Sequence, residues 1–307
     1  MSTDKPFRFG VVFTDDFDAM RWPEIARRLE SEGFATLLVA DHYDNPLSCG
    51  PLIVAAANAT TRLRVGSYVY NNDVRHPALL AKEAATIDVL SGGRMELGIG
   101  AGWFKQEYDM VGLSFDPPAI RAARFKESIE IITRLFTGEE VSYQGQHYQI
   151  SGLKGMPLPI QQPIPLLIGG GGPSMIRFAA HRANIIGFVP RSLPGGGLDA
   201  TKFAAESMDR NIEVLETAVT EAGRIDGGPE RSILIFSIYS SLADVPDDNW
   251  IPRDLVETSP HALVGDADAM ADTLVAQRER WGLNYFVCFD TDLEKFIPVV
   301  RKLAGKV

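Results

Sequence analysis

Apolar positions along this chain switch repeatedly between a period of two and a period near 3.6. Short β-branched runs at Phe9 to Phe13, Thr36 to Ala40, Leu63 to Tyr70 and Met95 to Ile99 read as strands. Helical spacing follows the first of them: Ala19, Trp22, Ile25, Ala26 and Leu29 share a face, and Gly33 is the stop. Ala78 to Leu90 is a second helix, closed by Ser91-Gly92-Gly93. A short helix near Phe104 to Val111 precedes a longer one from about Ile120 to Phe136, on which Phe125, Ile129, Ile132 and Phe136 align. Glu140 to Ile150 breaks the rhythm, with Val141, Tyr143 and Tyr148, Ile150 flanking Gln144-Gly145-Gln146 as a β-hairpin excursion. The alternation resumes with Pro165 to Ile168 (strand), Ser174 to Arg182 (helix) and Asn184 to Val189 (strand). A long helix then carries Phe203, Met208, Ile212, Leu215 and Val219. Ser232 to Ser240 is the seventh strand, and Asp244 to His261, rich in proline, an insertion. Ala267 to Trp281 is a helix, Asn284 to Phe289 the eighth strand and Leu293 to Leu303 a closing helix.

Eight strands in βα order predict an α/β fold, a closed (β/α)8 TIM barrel with a hairpin excursion and a mouth insertion. An open doubly wound sheet is the competing architecture. Its dinucleotide fingerprint should follow strand one, where Thr14-Asp15-Asp16-Phe17 contains no glycine. No linker or low-complexity tract divides the chain, so a single domain over residues 1–307 is expected, a usual length for one barrel.

Charge and composition narrow the partners. There are 40 Asp and Glu against 30 Lys and Arg, with no basic stripe, which argues against nucleic acid. The longest apolar runs are too short to span a bilayer, so no membrane partner is expected. Cys49 and Cys288 form no CxxC pair, and the first residues lack a charged and then apolar leader. Both suit a cytoplasmic protein. His76, His147, His181 and His261 are scattered without metal-ligand spacing, so no metal is expected.

In a barrel, reacting groups sit at strand C-termini. Asp41-His42 follows strand two. It reads either as a catalytic pair, with His42 moving a proton near neutral pH and Asp41 orienting it, or as a structural loop cap. Gly98 to Trp103 follows strand four and offers close backbone approach or simply a tight turn. Gly169, Gly170, Gly171 and Gly172 lie between a strand and a helix that opens with Pro173, an arrangement suited to a phosphate at a helix N-terminus.

Several segments recur in fixed order: Val39-Ala40-Asp41-His42, Val65-Gly66-Ser67-Tyr68-Val69, Arg75-His76-Pro77-Ala78, Ser91-Gly92-Gly93-Arg94, Leu97 to Trp103, Pro165 to Gly172 and Leu263-Val264-Gly265. Taken together they resemble the bacterial luciferase-like monooxygenase superfamily, and within it the actinobacterial F-420-dependent oxidoreductases. The resemblance implies a homodimeric barrel that transfers a hydride between the deazaflavin coenzyme F-420 (8-hydroxy-5-deazaflavin) and a small organic substrate. Two other readings stay open: an FMN-dependent monooxygenase using reduced flavin and O2, and a cofactor-binding protein without turnover. By position, the resemblance places Asp41 and His42 beside the cofactor ring and Tyr68-Val69 behind it, as a bulge often containing a non-prolyl cis peptide. It places Asn71 at the ring edge, Gly102 and Trp103 in the cofactor-side motif, and Gly169 to Gly172 on the phosphate. Arg191 would lie next to the phosphate and offer an exit for the acidic lactyl-glutamyl tail. There is one departure. Trp103 stands where family members that oxidise sugar phosphates carry a proton-donating Glu, and Gln106, expected at a neighbouring site-facing position, cannot replace an acid. A substrate less polar than a sugar phosphate is therefore expected.

Overall fold

The computed structural model describes residues 5–14 and 18–307, so Asp15 to Phe17 of the first turn lie outside the described residues. In chain order the elements begin with β1 (Arg8–Phe13), α1 (Trp22–Glu32), β2 (Thr36–Val39), α2 (Cys49–Ala59), β3 (Arg64–Ser67), β4 (Tyr70–Asn71), α3 (Pro77–Leu90) and β5 (Met95–Gly100). Then come α4 (Lys105–Val111), α5 (Pro118–Leu135), β6 (Glu140–Gln144), β7 (Gln149–Lys154), β8 (Leu166–Gly169), α6 (Pro173–Arg182), β9 (Ile185–Phe188) and α7 (Ala205–Glu221). The chain ends with β10 (Glu230–Ile235), β11 (Ser237–Tyr239), β12 (Ala262–Val264), α8 (Ala267–Trp281), β13 (Tyr285–Phe289) and α9 (Leu293–Leu303).

The main sheet runs β3-β2-β1-β13-β10-β9-β8-β5-β4, and a further β3–β5 pairing closes it into a barrel with every neighbour parallel. Two strands read as continuous from the sequence are interrupted. The third breaks at a cis Tyr68–Val69 peptide, so β3 pairs with β2 and the lower part of β5, while β4 pairs with its top. The seventh breaks at Phe236, whose N–H donates to the His261 carbonyl at 2.7 Å; beyond it β11 leaves the barrel to pair with β12. The hairpin β6–β7 reaches Lys154 rather than stopping at Ile150.

Alternation along the strands divides the core in two. Phe9, Val11 and Leu37 face the surrounding helices, while Val12, Leu38, Ala40, Tyr68, Leu167, Ile185, Leu234, Tyr285 and Val287 fill the barrel interior. The N-terminal end is plugged by ions. Arg8 pairs with Glu230 at 2.5 Å and with Glu96, Arg64 reaches Glu96 at 2.5 Å, and the Arg8 guanidinium lies 4.3 Å over the Tyr285 ring. The other end is the open one. There the insertion packs its own small core of Phe203, Val245, Ile251, Val256 and Ala262. Among the described residues no helix is long and apolar enough to cross a membrane.

Candidate active site at the barrel mouth

His42 follows β2, and the group that holds its ring comes from α4. Glu107 Oε1 accepts the Tyr43 N–H at 2.6 Å and lies 3.0 Å from His42 Nδ1. A carboxylate oxygen of this kind only accepts, so Nδ1 carries the hydrogen and Nε2 is the free nitrogen of the neutral ring. Burial disfavours the imidazolium, but the hydrogen bond and charge of Glu107, helped by Asp44 and Asp41, outweigh it and raise the His42 pKa above 6.5. Trp103 and Phe104 meet the imidazole edge-on, with centroids at 6.1 and 6.2 Å. His42, Asp44 and Glu107 bring potential ligand atoms within 4.8 Å. Two donors already point at Glu107 Oε1, so this trio reads as a hydrogen-bonded pair beside an exposed acid.

This geometry corrects two expectations. Asp41 does not orient His42. Its carboxylate is held by Arg75 at 2.6 and 3.0 Å and by the Asn71 N–H at 3.1 Å, while Arg75 stacks 4.6 Å from the Tyr70 ring. Asp41 thus ties the end of β2 to the entry of α3. Gln106 is exposed, and the buried acid is its neighbour Glu107, which the sequence reading missed. A signal was present: Phe104, Glu107 and Tyr108 share one face of a short helix, and a carboxylate on a buried face needs a partner.

Tyr108 accounts for Gly102. At φ +78° the glycine leaves room for the Tyr108 hydroxyl, which a Cβ would overlap. That hydroxyl reaches Asp73 Oδ2 at 3.0 Å and Asn71 Oδ1 at 3.3 Å, and Arg124 holds Asp73 with two bonds of 2.7 Å. The Asn71 oxygen also accepts the Asp73 N–H at 3.0 Å. Its amide nitrogen donates to nothing among the described residues.

The Tyr68 side chain fills the barrel interior, and burial pushes its pKa up; it is Val69 that reaches the mouth. Gly98, Gly100 and Gly169 surround Val69, and a Cβ on Gly169 would stand 3.7 Å from it. Val69, Val189, Phe236 and Phe289 cap the interior cluster as a partly exposed apolar rim. Phe236 meets the rings of Phe289 at 5.7 Å and Trp250 at 6.3 Å.

The glycine turn before α6 contains two kinds of glycine. A Cβ on Gly171 would overlap the Val189 carbonyl, and one on Gly170 would crowd Met175, so both serve the packing of the turn. Gly169 and Gly172 have open space, the nearest atom to a Cβ on Gly172 being Arg191 Cδ at 3.8 Å. The N–H groups of Gly171, Gly172 and Ser174 find no acceptor among the described residues, whereas those of Met175 and Ile176 return to the Gly172 carbonyl at 3.0 Å. No side chain caps this helix. Arg191 lies beside the turn as expected, but its guanidinium bonds Asp199 at 3.2 Å.

The chain is similar to known proteins. The F420-dependent glucose-6-phosphate dehydrogenase of Gordonia bronchialis is 28% identical over 250 residues, covering 76% of this chain and 72% of that protein. The 5,10-methylenetetrahydromethanopterin reductase of Archaeoglobus fulgidus is 34% identical over 174 residues, which is 57% of this chain and 50% of that one. Among solved structures, the coenzyme F420-dependent tetrahydromethanopterin reductase from Methanopyrus kandleri superposes with a TM-score of 0.80 at 21% identity, over 97% of this chain and 98% of that one. The model of the luciferase-like monooxygenase family matches residues 7–240, from the first barrel strand into the seventh. The match takes in His42, Glu107 and the glycine turn, and the chain belongs to the luciferase-like monooxygenase family.

Proposed function

We propose that this protein is an oxidoreductase that transfers a hydride between coenzyme F-420 and a carbonyl or alcohol substrate of low polarity. The observation that carries the reading is the His42–Glu107 pair, held with Nε2 unengaged beside aromatic rings, at the same end of the barrel strands as an uncapped glycine cradle. The name of the Gordonia bronchialis relative, an F420-dependent dehydrogenase, supports the cofactor and the reaction type.

The residues suit such a cofactor. Unpaired N–H groups of Gly171, Gly172 and Ser174 can hold a phosphate at the α6 N-terminus, with open space at Gly169 and Gly172. Val69 can back the ring, and the Asn71 amide has a donor for its edge. When bound, F-420 supplies a carbon that gives or accepts a hydride. With that group bound, His42 Nε2 would hold the proton that the substrate oxygen gains or gives up. Glu107 keeps the ring turned for that task and stabilises its charged form.

Low substrate polarity follows from the lining. Trp103 and Phe104 stand edge-on to His42, Phe236 and Phe289 form the rim of the interior cluster, and the guanidinium groups of Arg75, Arg124 and Arg191 are each committed to a carboxylate. The family's description favours a second reading, a monooxygenase using reduced FMN and O2. Fluorescence titration with F-420 and with FMN, followed by turnover of ketones and secondary alcohols, separates the two. F-420 is expected to bind and turn over; FMN binding without F-420 binding would replace this proposal. Gly172→Val should weaken cofactor binding at least tenfold in a folded protein, because a side chain there meets no protein atom closely but fills the cradle.

A further inference from the structure

On the outer face of the barrel, α5 and α6 enclose a groove of about 630 Å³ lined by Lys126, Ser174, Arg177, Phe178, His181 and Arg182. The lining contains no carboxylate. Lys126, Arg177 and Arg182 form no ion pair among the described residues, and Lys126 rests 5.7 Å from the Phe178 ring. The chain carries a net charge of −10, so a groove lined by three cations and a histidine with no acid among them is a local positive site on an acidic molecule.

The groove begins where the glycine cradle ends. Ser174 is the second residue of α6, and Gly172 is its cap. Ser174, Arg177 and His181 follow at helical spacing on one face, so the row runs about 14 Å down from the cradle at 1.5 Å per residue. Lys126 faces it from α5. A ligand suited to this surface has a phosphate at one end and a chain of carboxylates trailing from it.

We propose that the α5–α6 groove binds the acidic γ-glutamyl tail of the cofactor, its carboxylates lying along Arg177, Lys126 and His181 once the phosphate occupies the Gly169–Gly172 turn. The inference rests on F-420 being the cofactor. It moves the tail away from Arg191, whose charge Asp199 already shares.

The test is an affinity comparison by cofactor fluorescence, using a form that ends at the lactyl group and a form with a long glutamyl tail. Wild-type protein should bind the long-tailed form roughly fivefold or more tightly at low ionic strength, an advantage that shrinks in high salt because these are exposed pairs. The double variant Arg177→Glu, Lys126→Glu should lose that advantage and bind the tail-less form as wild type does, which also shows that it is folded. Equal wild-type affinity for the two forms, or equal weakening of both by the double variant, overturns the tail site and leaves the cofactor assignment standing. If neither form binds while FMN does, the site falls together with the cofactor reading.

Discussion

Glu107 gives one oxygen to two donors, the Tyr43 N–H and His42 Nδ1, and this decides what the imidazole can do. The acid holds a proton on the ring by raising its pKa, against a burial that would remove it. Carbonyl reduction needs the protonated ring, so its rate should hold at low pH and fall as pH rises through the raised pKa. Glu107→Gln keeps an acceptor oxygen but removes the charge. The pKa should drop, moving the pH–rate profile about one unit or more towards acid, with the tautomer retained. His42→Ala should lower turnover roughly a hundredfold or more. An unchanged profile in Glu107→Gln would show that the carboxylate only props the loop. Two residue-level facts were out of reach of pattern reading. Asp41 stands next to His42 in sequence yet is bound by Arg75, and Glu107 lies far off in sequence yet bonds His42. Adjacency in the chain is a poor guide to partnership at strand ends, where neighbouring side chains diverge.

At the scale of elements, the barrel strands and most helices were legible because their apolar positions follow one clear period. The helix α2 was not read. Cys49, Gly50, Leu52, Ile53, Ala56 and Ala57 are buried, and alanines occupy much of what remains, so no polar face marks a period. The cis Tyr68–Val69 break in strand three was expected only from the family resemblance, and the structure has it; the break in strand seven escaped notice, since a hydrogen bond to a distant carbonyl leaves no mark on hydropathy. The second break rests on His261, fully buried against Phe203 and Phe236, with Nδ1 2.8 Å from the Leu234 carbonyl. Burial depresses its pKa to about 4 from the usual 6.5, outweighing that bond. Its folded form stays neutral while the unfolded chain takes a proton below 6.5, so stability is full above 6.5 and falls as pH drops towards 4, by about 1.4 kcal/mol per pH unit. His42 has the opposite sign, adding stability that is lost only as pH rises above 6.5. Urea unfolding between pH 8 and 5 should therefore show a loss below 6.5 in wild type that is absent in His261→Gln. Parallel curves for the two proteins would assign the acid sensitivity elsewhere.

The whole molecule places unlike chemistry at its two ends. One end is sealed by Arg8, Arg64, Glu96 and Glu230, an ion cluster centred on Glu96, whose side chain is 2% exposed while Arg8 and Arg64 keep 20% and 28% of theirs exposed. Glu96→Gln leaves Arg64 without a carboxylate and Arg8 with Glu230 alone, in a partly buried setting, and should cost about 1–3 kcal/mol in denaturant unfolding. Removing the exposed Arg28–Glu294 pair should cost about 1 kcal/mol or less. Similar losses from both would mean that the plug is well hydrated.

The other end holds a device of a different kind. The segment between β11 and β12 packs Val245, Ile251 and Val256 against Phe203, and its last residues fasten it to the barrel. Ser259 donates to the Phe203 carbonyl, His261 meets the Leu234 carbonyl and receives the Phe236 N–H, and β12 pairs with β11. His42, Glu107 and the glycine turn all lie outside it. Such a segment is a cassette: loops of other lengths and shapes could be spliced between Tyr239 and Ser259, leaving Ser259 and His261 as fasteners, to recast what enters the mouth. The groups that move the proton would come through the exchange untouched.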